Sequence, residues 1–171
     1  MTIFGPDVEA TGTDPFENEL ISIQYRDSST DRNHIFLRWD YDSEADLLFA
    51  FFMEYYNIPW KRTDGAPLRV GYRVTDFDLP FILVRAFETN AFDKLKAGPG
   101  FVWTNVIAGP SYLDLSHLLG ADMASFEQWR QELVNTESPS GGDKIPELFE
   151  RGENEQIVEY VEDELEAMEQ V

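Results

Sequence analysis

Ile3-Phe4-Gly5-Pro6-Asp7-Val8-Glu9-Ala10-Thr11-Gly12 is an apolar run that ends in two acids spaced two residues apart. If it forms a β-strand, side chains alternate between faces, so Asp7 and Glu9 project side by side from one face. Adjacent carboxylates repel each other, and a divalent cation relieves the repulsion. A pair of such cations roughly 3.5–4 Å apart is how phosphodiester-cleaving sites stabilise the attacking and leaving oxygens.

Working outward, Thr11-Gly12-Thr13-Asp14-Pro15 has turn chemistry, and Glu19 to Tyr25 alternates as a half-buried strand should. His34 to Trp39 reads as a third strand, which makes an antiparallel meander with the first two. Ser43 is placed to cap a helix reaching about Tyr56, with Leu48, Phe51, Phe52 and Tyr55 at helical spacing as core. Pro67 to Tyr72 reads as a fourth strand and Thr75 to Glu88 as a helix, so a β-α unit joins the meander in a mixed sheet. Between the breakers Gly98-Pro99-Gly100 and Gly109-Pro110, Phe101 to Val106 reads as a strand. Ser111 to Leu119 reads as a strand running into a short helix, Phe126 to Val134 as a helix, and Ser138 to Gly142 as a loop.

The last segment, Glu153 to Val171, is the most informative helix. At 100° per residue, Ile157, Val161, Leu165 and Met168 form one stripe, and Glu155, Glu159, Glu162, Glu166 and Glu169 form the solvated face. Glu164 falls inside the apolar stripe, where an acid is costly unless compensated, and a metal is the natural compensation. Asp163 turns toward the acidic face. Tyr160 lies one turn before Glu164 on the same side.

Size and composition narrow the function. A chain of 171 residues, 43% hydrophobic, suits one folded domain spanning residues 1–171. No apolar stretch is long enough to span a bilayer and the N-terminus lacks a secretory pattern, so the chain reads as cytoplasmic. Without cysteine, any metal must be held by oxygen ligands or by His34 and His117, an inventory that suits Mg²⁺ or Mn²⁺. We give neither histidine a role. The net charge of −20 repels phosphates as a whole-molecule field. Such a balance is found in proteins from salt-rich cytoplasm, and plain acidic solubility gives the same composition.

Three motifs carry a family resemblance. The chain resembles the DEDD superfamily of 3′-to-5′ exonucleases (DnaQ-like), with an α/β, ribonuclease-H-like fold. Asp7-Val8-Glu9-Ala10-Thr11-Gly12-Thr13-Asp14-Pro15 followed by Ile21-Ser22-Ile23 is similar to the first motif, and Gly71 to Phe81, with Asp78 as its acid, to the second. Lys144 to Phe149 through Tyr160-Val161-Glu162-Asp163-Glu164-Leu165 is similar to the third in its tyrosine form, as in the exonuclease domains of family B DNA polymerases. The chain departs from the pattern twice: Arg73 stands where the second motif commonly has Asn, and Glu164 where the third has Asp.

The resemblance implies that Asp7 is shared by two divalent cations, Mg²⁺ or Mn²⁺. Glu9 and Glu164 complete the first site, Asp78 serves the second, and Tyr160 orients the attacking water. It implies a single-stranded DNA or RNA 3′ end as substrate, nucleoside 5′-monophosphates as product, and a replication or repair protein as candidate partner. Thr11, Gly12 and Phe16 lie near the terminal nucleotide on this reading, with Arg73 as a candidate phosphate contact. Bland readings stand beside these roles: Asp7 and Glu9 as strand-end acids in solvent, Asp78 as a helix cap with Thr75, Tyr160 as core edge, and Glu164 snorkelling to water. The alternative function is a catalytically degenerate exonuclease fold that binds nucleic acid or protein. An acidic interaction protein without a metal site is a third.

Overall fold

A computed structural model of the chain describes residues 1–58, 67–95, 98–108, 110–119 and 141–170. The expected helix at 126–134 and most of the loop at 138–142 lie outside them. Among the described residues a five-stranded sheet has the order β3-β2-β1-β4-β5. Its strands are β1 (Thr2–Ala10), β2 (Leu20–Asp27), β3 (Arg32–Leu37), β4 (Leu68–Gly71) and β5 (Ser111–Asp114). β1, β2 and β3 form an antiparallel meander, while β4 and β5 add to β1 in parallel. The fold is therefore the α/β, ribonuclease-H-like mixed sheet expected, flanked by helices.

Consecutive residues on β3 point to opposite faces, and each face has its own core. Phe36 packs with Ile3, Val8 and Ile23 against helices α1 (Glu44–Asn57), α2 (Leu79–Glu88) and α3 (Ala91–Leu95). Ile35 packs on the other face, where Ile21 meets α6 (Ile145–Arg151) and α7 (Asn154–Glu169). Ser43 caps α1 as expected, its side chain accepting from the Asp46 N–H.

Ile3 and Val8 share one core although an odd and an even position on a regular strand would face apart. A β-bulge reconciles them: the β1–β2 register shifts between Phe4 and Asp7, so Gly5 and Pro6 together oppose Tyr25. Gly5 has φ of 110° and its α-carbon faces the Gln24 carbonyl so closely that a Cβ there would lie 2.9 Å from that oxygen. Only glycine meets both conditions. The bulge inverts the alternation, placing Ile3 and Val8 on the α1 face and leaving Asp7 and Glu9 on the α7 face.

Two readings need correction. Phe101 to Val106 is helical, forming α4 (Pro99–Val102) and a π-helical turn at Trp103–Ala108, followed after β5 by α5 (Leu115–Leu119). Pro99 starts α4, and Val102 and Val106, four apart, are both buried in the α1-side core, so helical spacing overrides the β-branched composition. β2 is buried on both faces rather than half-buried, so Ser22 and Gln24 are enclosed.

Candidate metal centre

Glu164 sits in the buried stripe of α7, 8% exposed, packed toward the sheet beside Ile157, Val161 and Leu165. Helical spacing places it one turn after Tyr160, whose hydroxyl donates to Glu164 Oε1 at 2.7 Å. The side chain thus turns inward and does not snorkel. Across from it, one carboxylate oxygen each from Asp7, Glu9 and Glu164 lie within 4.8 Å of one another. Asp163 contributes no oxygen to that trio.

Asp78 completes the acid group from the far side of β1. β1 and β4 run paired only as far as Phe4 and Val70, and beyond that point the Val8 N–H is available to the Asp78 carboxylate. Asp78 is 3% exposed and stands at the start of α2, yet its side chain makes no capping hydrogen bond there. The capping alternative therefore has no support in the geometry. Asp78 lies outside the 4.8 Å trio, and its charge acts on Asp7 and Glu164.

The electrostatics follow from packing four acids close together. Burial pushes Asp7 up to about 6, against the opposing pull of hydrogen bonds from Gln24 and the Val8 N–H. Burial, then the charges of Glu164, Asp7 and Asp78, hold Glu9 well above the usual carboxylate range. The nearness of Glu164 thus favours the protonated form of Glu9. Burial and Asp7 raise Asp78 likewise. Tyr160 is raised by burial and by Glu164 and Glu9, so its hydroxyl stays protonated and can only donate to an acid.

Two residues of the site escaped the sequence reading. Gln24 stands opposite Asp7 in register and donates from Nε2 to Asp7 Oδ2 at 2.6 Å. Ser22 stands opposite Glu9. Both are fully buried, and Ser22 Oγ and Gln24 Oε1 have no hydrogen-bond partner among the described residues. Unpaired buried oxygens beneath a carboxylate cluster make a polar floor, and an all-oxygen donor set of this kind fits a hard divalent cation. The signal in the sequence was the polar pair Ser22 and Gln24 at alternate positions of an otherwise apolar strand.

The other predicted positions lie in the loop after β1 and in the turn after β4. Thr11 Oγ1 accepts from the Glu19 N–H at 3.1 Å, and Gly12 packs so closely on Asn18 that a Cβ would fall 2.6 Å from its side chain. The loop they close displays Phe16, 67% exposed. That loop is braced from below: Arg85 donates to the Pro15 carbonyl and to both oxygens of buried Glu44, which in turn accepts from the Leu20 N–H. Arg73 begins the turn leading to Asp78, at φ 57°, with its guanidinium exposed and 5.7 Å from the Phe77 ring centroid. A left-handed backbone is one that Asn tolerates more readily than arginine.

No family model matches the chain, and no curated protein matches it. Among solved structures it is similar to the family B DNA polymerase of the hyperthermophilic archaeon Pyrobaculum calidifontis, at 15% identity and a TM-score of 0.68. The match covers 98% of this chain but 23% of the polymerase. A metal-free form of the E. coli ExoI complex with single-stranded DNA matches more loosely, at 17% identity and a TM-score of 0.40, over 70% of this chain and 29% of ExoI. No helix of the described residues is long and apolar enough to cross a membrane. The chain thus shares its fold with about a quarter of a family B DNA polymerase.

Proposed function

We propose that the chain is a metal-dependent 3′-to-5′ exonuclease acting on single-stranded nucleic acid. The observation that carries the proposal is the convergence of Asp7, Glu9 and Glu164 within 4.8 Å, with buried Asp78 near enough for its charge to act on Asp7 and Glu164. The fold shared with part of a DNA polymerase supports it. On this reading Asp7, Glu9 and Glu164 hold one divalent cation, and Asp7 with Asp78 a second. Bound there, Mg²⁺ or Mn²⁺ would neutralise charge at the phosphate and make an attacking water easier to deprotonate near neutral pH.

The chain's own residues prepare that chemistry. Gln24 fixes the rotamer of Asp7 through its amide N–H. Glu9, held well above the usual carboxylate range, must be ionised before it acts as a ligand, so loading releases protons and weakens toward acid. Tyr160 donates a hydrogen bond at Glu164 and orients what binds beside it. Thr11, Gly12 and Phe16 offer backbone and a ring for stacking to the terminal nucleotide, and Arg73 a phosphate contact. The products are nucleoside 5′-monophosphates, and a replication or repair protein is the natural partner for a chain of this kind.

Release of mononucleotides from a 3′-labelled oligonucleotide with Mg²⁺ or Mn²⁺, abolished by Asp7→Ala, is the expected result. Equal inertness of both proteins from dilute to molar salt would overturn the proposal in favour of a degenerate binding module.

A further inference from the structure

Asp114, at the C-terminal end of β5, is an acid near the cluster that the exonuclease reading leaves without a role. It is 5% exposed and its charge acts on Asp78. Both its oxygens are engaged. Oδ1 accepts from the Arg73 N–H at 2.9 Å and from the N–H and hydroxyl of Ser116 at 3.1 and 2.7 Å. Oδ2 accepts from the N–H and hydroxyl of Thr75 at 2.9 and 2.7 Å. A carboxylate has about four lone-pair sites, so these five donors leave it no capacity for a cation. Three of them belong to the turn that carries Asp78, and two to the strand-to-helix junction that holds Asp114 itself.

The turn needs such an anchor. It opens at Arg73 in a left-handed conformation, continues as a single π-helical turn at Val74–Asp78, and only then becomes α2. Neither conformation is one that an arginine or a regular helix would choose unaided. α5 reaches the same turn a second time, through His117 Nε2 and Asp76 Oδ2 at 3.0 Å.

We propose that Asp114 is a positioning residue that clamps the turn at residues 73–78 and so holds Asp78 beside Asp7; the role rests on the exonuclease reading for its consequence. It acts on the second cation site and leaves the Asp7, Glu9 and Glu164 trio untouched. Outer residues that orient metal ligands are worth about 10–100-fold in metal affinity. In Asp114→Ala the weaker of two Mn²⁺ affinities should fall by about that factor while the stronger is kept. Hydrolysis lost at low Mn²⁺ should return at high Mn²⁺. Thr75→Val, which removes one of the five bonds and keeps the buried acid, should give a smaller loss of the same kind.

Amide hydrogen exchange in the metal-free proteins tests the clamp apart from the metal. Residues 73–78 should exchange at least about tenfold faster in Asp114→Ala, with residues 22–24 of β2 unchanged. A folded Asp114→Ala protein with wild-type exchange at 73–78, or with both Mn²⁺ affinities intact, overturns the positioning role alone. A wild type that takes up no Mn²⁺ overturns the exonuclease reading, and the consequence drawn for Asp114 falls with it.

Discussion

Replacing Asp7 by Asn should make the metal-free protein more stable at neutral pH, although it removes the central acid of the site. The carboxyl of Asp7 is pushed up from 3.8 to about 6, chiefly by burial. Below the unfolded value both states carry the proton, and folding is not penalised. As pH rises from 3.8 towards 6 the unfolded chain ionises first, so stability falls, and above the folded value the penalty is constant. Two pKa units or so at about 1.4 kcal/mol each amount to about 3 kcal/mol. Asn cannot ionise, yet its amide oxygen keeps the bond from Gln24 Nε2. Relief of Glu9 and Asp78, both of which Asp7 repels, acts in the same direction. Urea denaturation in chelator should find the two proteins nearly equal at about pH 4 and Asp7→Asn ahead by about 3 kcal/mol at about pH 7.5. Mn²⁺ should reverse the order, since only the wild type gains from binding it. A stability gap that is the same at both pH values, or a less stable Asn variant at neutral pH, would refute the reasoning.

Tyr160→Phe removes the donor to Glu164 and should lower hydrolysis about 10–100-fold while Mn²⁺ binding, followed by calorimetry, stays close to wild type. Loss of binding in place of rate would show the hydroxyl to be a scaffold for Glu164. Gly5→Ala forces a Cβ to 2.9 Å from the Gln24 carbonyl at φ 110°, so we expect a loss of about 1–3 kcal/mol by urea denaturation. An unchanged midpoint would mean the bulge relaxes freely. Arg85→Ala strands Glu44 as a buried carboxylate and should cost about 3–5 kcal/mol. A cost within measurement error would argue that the brace under the Phe16 loop is dispensable.

Much of this was legible in the residues. The Asp-x-Glu spacing, the cap at Ser43 and the acid inside the α7 stripe each follow from a fixed periodicity, and each stands where that periodicity puts it. The strand running into a short helix over Ser111 to Leu119 was also readable, and it stands as β5 and α5. What escaped depends on neighbours distant in sequence. Ser22 and Gln24 alternate like solvent-facing positions, and only the packing of α7 over β2 reveals that they floor the acid cluster. Phe101 to Val106 has strand composition, and the α1-side core decides it is helical. Asp114 belongs to no motif, since its five donors come from the second-motif turn and its own junction.

The extra residue in β1 acts as a phase shifter between two programmes written on one strand. Upstream of it Ile3 is turned to oil; downstream Asp7 and Glu9 are turned to charge. Were β1 to run regularly through both Gly5 and Pro6, with no bulge, Ile3 and the two acids would compete for a single side of the molecule. Chemistry here therefore depends on where the strand sheds its extra residue as well as on the identity of its acids.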